Sequence, residues 1–153
     1  MYRLATRFAS DLDTWVARRK GTRQAIRLSD LPLPDFYKVV RSLPYKRDNA
    51  PIEVIARPSH VLKHGPLLGA DCKKRAILLG AYLERNGIAW RFVTSSARPD
   101  KRHHHIYVQA AAVPLAGGRP GWLNVDATYP HYRLGQRKRV TSWAIMPRPK
   151  GAR

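Results

Sequence analysis

The hydrophobic pattern of this chain changes its period at Gly87, and this change limits the possible folds more than any other feature. From residue 72 to residue 86, apolar side chains recur at the spacing of a broad helix face. Asp71 before this segment is a favourable N-cap, and Gly87 after it suits the C′ position of a helix. The sequence therefore predicts a largely buried helix that begins at Cys72.

After Gly87 the apolar residues alternate with polar ones, as they do in half-buried strands. Alternation predicts strands over residues 88–94, 103–112 and 122–127, and the glycines and proline of 117–121 predict a turn between the last two. One helix followed by antiparallel strands with short connections indicates an α+β domain in which the helix packs on the sheet.

The segments before Asp71 show weaker patterns. Apolar residues at helical spacing predict an amphipathic first helix from Leu4 to Val16, closed by Gly21. Asp35 is expected to cap a short helix that ends near Ser42. Residues 52–56 fit either a strand or a helix, and 60–66 are expected to be irregular. We divide the chain into an N-terminal helical extension (1–50), a core (51–140) and a basic tail (141–153).

The charge and cysteine content exclude several classes of protein. The 153 residues are 44% hydrophobic and 25% charged, which argues against intrinsic disorder, and a single cysteine rules out an intramolecular disulfide. There is no run of 18 apolar residues and no apolar stretch after Arg3 and Arg7, so we expect no membrane span and synthesis in the cytoplasm.

The net charge of +19 is spread along the whole chain. Residues 1–50, 51–100 and 101–153 carry net charges of +6, +4 and +9. Such a surface attracts nucleic acid or another polyanion through phosphate contacts, or docks on an acidic protein. It is equally the pattern of a charged surface that is simply solvated.

Cys72 is a candidate nucleophile because of its position. A thiol in the first turn of a helix faces free N–H groups and the positive end of the helix dipole, and the cations at 73–75 add to that field. Both effects favour the thiolate, and N–H groups there could stabilise an oxyanion. The alternative is an inert, small core residue.

His105 and Asp126 are candidate partners of this thiol. They fall on neighbouring predicted strands, and if these strands pair as a hairpin, the imidazole and the carboxylate can approach each other. Cysteine, histidine and an orienting carboxylate form the arrangement that acyl transfer requires. The alternative for Asp126 is a turn residue or an ion-pair partner of a nearby arginine.

Histidines at 103–105 also allow a metal interpretation. His103 and His105 share one strand face and could form a zinc site with Cys72 or Asp126. No second cysteine is present and the spacing matches no strong zinc pattern, so we predict neither a metal nor a cofactor. His60 and His64 are expected in a loop or on the surface.

Three segments together resemble the transglutaminase-like superfamily. Residues 69–88 (GADCKKRAILLGAYLERNGI) are similar to its cysteine helix, 105–109 (HIYVQ) to its histidine strand, and 122–130 (WLNVDATYP) to its tryptophan, aspartate and threonine motif. The resemblance covers about residues 60–131 and implies a papain-like core with an antiparallel sheet. It implies Cys72 as nucleophile, His105 as general base and acid, and Asp126 as the group that orients the imidazole.

The sequence departs from this family at several positions. Lys73 and Lys74 follow the cysteine where small relatives, including phage-encoded ones, often have acidic residues, and Gln109 stands where Glu is commoner. No side chain is identified to complete the oxyanion hole, and His64 and Asn86 are only candidates.

These observations predict a cysteine hydrolase or acyltransferase that acts on a peptide or isopeptide amide. The alternative is a non-catalytic basic protein that keeps the fold. It would be a structural or nucleic-acid-associated component of a phage particle or similar assembly, and then virion-associated.

Overall fold

A computed structural model of the chain describes residues 1–18, 25–48, 55–112, 121–137 and 139–149. It contains two short 3₁₀ helices, Ala9–Thr14 and Leu28–Asp30. The α-helices are α1 (Tyr2–Arg7), α2 (Leu33–Ser42), α3 (Pro58–Leu68) and α4 (Cys72–Arg85). The strands are β1 (Val16–Arg18), β2 (Ala25–Arg27), β3 (Trp90–Ser96), β4 (His105–Ala112), β5 (Gly121–Val125) and β6 (Ser142–Ile145).

Four strands form one antiparallel sheet in the order β5-β4-β3-β6, and β1 pairs with β2 separately. Val108 of β4 lies opposite Val125 of β5, and Ser95 of β3 lies opposite His105. In this register, the first residues of β4 lie beside the last residues of β3 and β5, at one end of the strands. Asp126, which directly follows β5, therefore lies at the same end of the sheet as His105.

Helix α4 is the central packing element. Its buried residues run from Arg75 to Leu83, and it packs against β3, β4, α1 and the first 3₁₀ helix. The helix ends as expected: Gly87 has φ of +64°, and the Ile88 N–H donates to the carbonyl of Leu83 over 2.9 Å. The α+β class, with the cysteine-bearing helix on an antiparallel sheet, is confirmed.

The first helix is shorter than predicted. Helix α1 ends at Arg7, and the segment from Val16 forms a strand rather than the last turn of a helix. Two backbone bonds explain the difference: Trp15 N–H donates to Leu12 O, which closes the 3₁₀ helix, and Leu28 N–H donates to Trp15 O, which aligns β1 with β2. The apolar residues have the spacing of a helix, but pairing between β1 and β2 determines the backbone conformation from Val16 onward.

Residues 60–66 were expected to be irregular, and this prediction is wrong because they lie within α3. Pro58 occupies the first turn, where its missing N–H costs nothing. Pro66 lies in the last turn, and Gly69 with φ of +75° ends the helix. Gly65 faces Leu43 at close range, so here glycine serves helix packing rather than a turn.

Helix α2 begins at Leu33, with Pro32 at the N-cap position, so Asp35 lies in the first turn rather than at the cap. Strand β6 has no counterpart among the predicted strands, and it pairs with β3 within the segment assigned to the basic tail. The turn predicted at 117–121 and the segment 52–56 lie largely outside the described residues. The division into three segments stays a prediction.

Within the described part of the chain, no helix combines the length and the apolar character needed to cross a bilayer.

Candidate active site

Cys72 is the first residue of α4, and Asp71 fixes the start of that helix. The Asp71 carboxylate accepts a hydrogen bond of 2.9 Å from the Lys74 N–H, as an N-cap does. Its other oxygen lies 3.3 Å from the ammonium of Lys73. The N-terminal turn is thereby held in place while the thiol remains partly accessible.

Arg75, one helical turn after Cys72, is buried with only 1% of its surface exposed. Its guanidinium donates to backbone carbonyls on three sides of the site. These are Ala70 before α4 (2.9 Å), Val40, Arg41 and Leu43 at the end of α2 (3.2, 3.5 and 2.5 Å), and Ala127 after β5 (2.6 Å). One side chain therefore ties the cysteine helix to the loop that carries Asp126.

His105 and Asp126 are brought into direct contact. His105 Nε2 lies 2.7 Å from Asp126 Oδ2, and both side chains are largely buried. The second carboxylate oxygen, Oδ1, accepts from the Thr128 N–H over 3.0 Å, and the backbone carbonyl of Asp126 accepts from the Tyr37 hydroxyl over 2.8 Å. The carboxylate is thus fixed on both oxygens, and the imidazole is oriented by it.

The pKa of the Cys72 thiol lies below its ordinary value. Burial alone raises this pKa, and the charge of Asp71 raises it further. Hydrogen bonds with the His105 side chain and the Ile106 backbone, together with the Coulombic effect of His105, lower it by more. The environment of the thiol therefore favours the thiolate, which is the nucleophilic form.

A cavity of about 490 Å³ opens beside His105. Its walls come from the end of β3, the start of β4, the loop after α2, and the segment between β5 and β6. Tyr45 and Tyr129 lie in this wall with ring centroids 5.3 Å apart. A substrate in this cavity would have direct access to the imidazole.

The described histidines at 103 and 105 have partners other than a metal ion. His103 precedes β4 and its Nδ1 lies 2.8 Å from the Thr94 hydroxyl, while the Nε2 of His105 faces Asp126. Across the described ranges, no three His, Cys, Asp or Glu side chains are grouped so that they could hold a metal ion.

Of the two side-chain candidates for the oxyanion hole, Asn86 lies far from Cys72. Asn86 caps the far end of α4, about 20 Å from the start of a 14-residue helix, and its amide donates to Ser29 O and Tyr82 O. His64 packs against His60 in α3 and lines a second cavity with Trp15. The Asn86 candidate is therefore wrong for reasons of position, and the His64 candidate stays a prediction.

Sequence reasoning missed Arg75 and Tyr37. The burial of Arg75 could have been predicted, because this residue stands three residues after Cys72 and four before Leu79, on the apolar side of the helix. A cation in that position needs buried acceptors. The role of Tyr37 could not have been predicted from the sequence, since its partner is a backbone carbonyl 89 residues away.

No family model matches the sequence, and no curated protein matches it. Among solved structures, the chain is similar to LapG of Legionella pneumophila in its calcium-bound form (TM-score 0.47, 16% identity) and in its EGTA-treated form (TM-score 0.46, 16% identity). A third LapG structure gives a TM-score of 0.44 at 17% identity. Each alignment covers 70% of this chain and 57–59% of LapG, so the chain spans less than two thirds of that protein.

Proposed function

We propose that this protein is a thiol enzyme of the transglutaminase-like type that cleaves or transfers an acyl group at a peptide or isopeptide amide. The observation that carries the proposal is the 2.7 Å contact between His105 and Asp126, with the Cys72 thiol hydrogen-bonded to the same imidazole. Nucleophile, base and orienting carboxylate are thereby within reach of one another, as covalent catalysis requires.

In the first step, the Cys72 thiolate attacks the amide carbonyl carbon, a C–S bond forms, and the carbonyl electrons move to oxygen. The imidazolium of His105, which took its proton from the Cys72 thiol when the thiolate formed, then donates this proton to the amide nitrogen. The carbonyl re-forms, the C–N bond breaks, the amine departs, and a thioester remains on Cys72. Because Nε2 is engaged by Asp126, Nδ1 is the ring nitrogen through which we propose that the proton moves. The first-turn N–H groups of α4 are donors that an oxyanion could use.

In the second step, His105 removes a proton from water or from an acceptor amine, which attacks the thioester carbonyl and releases the thiolate. We favour hydrolysis, because water is always available and crosslinking needs a shaped amine site. Asp126 keeps the imidazole in the tautomer and orientation that both steps need.

The proposal is tested with iodoacetamide and with p-nitrophenyl acetate. We expect iodoacetamide to alkylate Cys72 at neutral pH at least about tenfold faster than a free cysteine, since the reactive species is the thiolate. The ester should acetylate Cys72 and turn over repeatedly. His105→Ala should slow both reactions, and Cys72→Ser should abolish them.

The matched control is His103→Ala, which removes a neighbouring imidazole outside the contact with Asp126. It should leave both rates within about twofold of wild type. Alkylation at the rate of a free cysteine, or equal losses in His105→Ala and His103→Ala, would contradict the proposed mechanism.

A further inference from the structure

The cavity beside His105 is strongly positive. Arg47, Arg137 and Arg139 line it, and none of the described residues in its wall is Asp or Glu. All three arginines are exposed to solvent. Three guanidinium groups around one opening attract anions, and arginine is the side chain best suited to bind a carboxylate through two parallel hydrogen bonds.

The carboxylates near this cavity are already engaged elsewhere. Asp126 is bound by His105 and by the Thr128 N–H. Asp48, next to Arg47 in the chain, forms an ion pair with the ammonium of Lys74. Among the described residues, Asp126 and Asp48 therefore each have a partner outside the three arginines of the wall.

Three tyrosines give the cavity an aromatic wall. The rings of Tyr45 and Tyr129 lie 5.3 Å apart, and those of Tyr129 and Tyr132 lie 5.1 Å apart at a steep angle. Burial raises the pKa of Tyr129 and of Tyr132, so their hydroxyls stay protonated at neutral pH and can donate hydrogen bonds. A hydrogen bond with Tyr45 raises the pKa of Arg47, so that guanidinium stays charged.

We propose that this cavity binds the acidic side chains of a peptide substrate, so that the enzyme acts on amides flanked by Asp or Glu. Carboxylates would pair with Arg47 and Arg139, and the methylene groups that carry them would pack on the tyrosine rings. The inference rests on the proposed function, because a thiol beside His105 acts on amides, which favours a peptide over a nucleic acid.

Binding is measured by fluorescence anisotropy with fluorescein-labelled hexaglutamate and the full-length protein at about physiological ionic strength. The test variant is Arg47→Gln with Arg139→Gln, and the control is Arg3→Gln with Arg27→Gln. All four arginines are exposed, and both pairs remove the same total charge. We expect the test pair to weaken binding about five- to tenfold and the control pair to change it by less than about twofold.

Equal losses in the two variants would overturn the inference, since they would mean attraction to the net charge alone. Failure of hexaglutamate to bind, even at low salt, would also overturn it. Labelled hexathymidylate is measured in parallel. If it binds more tightly than hexaglutamate and depends on the same two arginines, the ligand is a phosphate polymer and the peptide assignment is wrong.

The proposed function is tested separately, by alkylation of Cys72 with iodoacetamide. Rapid alkylation without selective peptide binding would remove the acidic-substrate inference and keep the thiol mechanism. Slow alkylation with selective peptide binding would keep the binding site and remove the catalytic role.

Discussion

At the scale of single residues, Arg75 is the side chain on which the geometry of the site most depends. Its guanidinium donates to carbonyls before α4, at the end of α2 and after β5, and it is nearly inaccessible to solvent. A buried charge is tolerated only when such partners are present, and the partners in turn lose their donor if the arginine is removed.

We expect Arg75→Met to lower the free energy of unfolding by about 3 kcal/mol, because several buried carbonyls would lose their donor. Urea denaturation followed by tryptophan fluorescence measures the change. The control is Arg85→Met on the same helix, where the arginine forms a surface ion pair with Asp13, and its cost should be below about 1 kcal/mol. Similar costs for the two variants would show that Arg75 does not hold the site together.

At the scale of elements, the start of α4 controls the electrostatics of the thiol. Asp71 accepts the Lys74 N–H as the N-cap, but its negative charge raises the pKa of Cys72. The residue that stabilises the helix therefore opposes formation of the thiolate. The two effects can be separated, because asparagine caps a helix about as well as aspartate and carries no charge.

We expect Asp71→Asn to shift the alkylation profile of Cys72 to lower pH. The thiolate is the reactive form, so the rate rises with pH through the pKa of the thiol, and removal of a nearby negative charge lowers that pKa. Thermal unfolding should change little, since the cap is kept. The control is Asp35→Asn in the first turn of α2, which should leave the profile unchanged. A shift to higher pH in Asp71→Asn would contradict this account.

The elements also show how far the sequence alone could predict the structure. Helix α4 was predicted with its ends because local signals agree there: a cap at Asp71, a continuous apolar face, and a glycine at position 87 whose positive φ suits the turn. Strand β4, which carries His105, and strand β5, which Asp126 directly follows, were predicted for the same reason, since alternation is a local pattern.

Where local signals conflict with tertiary contacts, prediction failed. Gly65 and Pro66 indicate a break, yet α3 continues through them because glycine allows close packing on Leu43. Strand β6 is short and exposed, so its sequence lacks clear alternation, and only its pairing with β3 defines it. The cavity beside His105 is assembled from distant segments and had no signature in the sequence.

At the scale of the whole molecule, the net charge of +19 attracts anions to the whole surface, in addition to any attraction by a local site. Among the described residues, six acidic side chains form ion pairs with Lys or Arg and Asp126 contacts His105, so their negative charges are locally offset. Long-range attraction to polyanions is therefore expected from the chain as a whole. This attraction differs from binding in the cavity, because it does not depend on particular arginines.

We expect a DNA duplex of mixed sequence to bind weakly and to lose about tenfold or more in affinity between about 50 and about 200 mM salt, as phosphate contacts and counterion release require. Because the charge is distributed, Arg3→Gln with Arg27→Gln should weaken this binding as much as Arg47→Gln with Arg139→Gln, and Cys72→Ala should leave it unchanged. Fluorescence anisotropy across a salt series measures these effects. Affinity that is insensitive to salt would contradict this electrostatic account. Affinity that depends on base sequence would mean a dedicated nucleic-acid site and would favour the non-catalytic basic protein over the thiol enzyme.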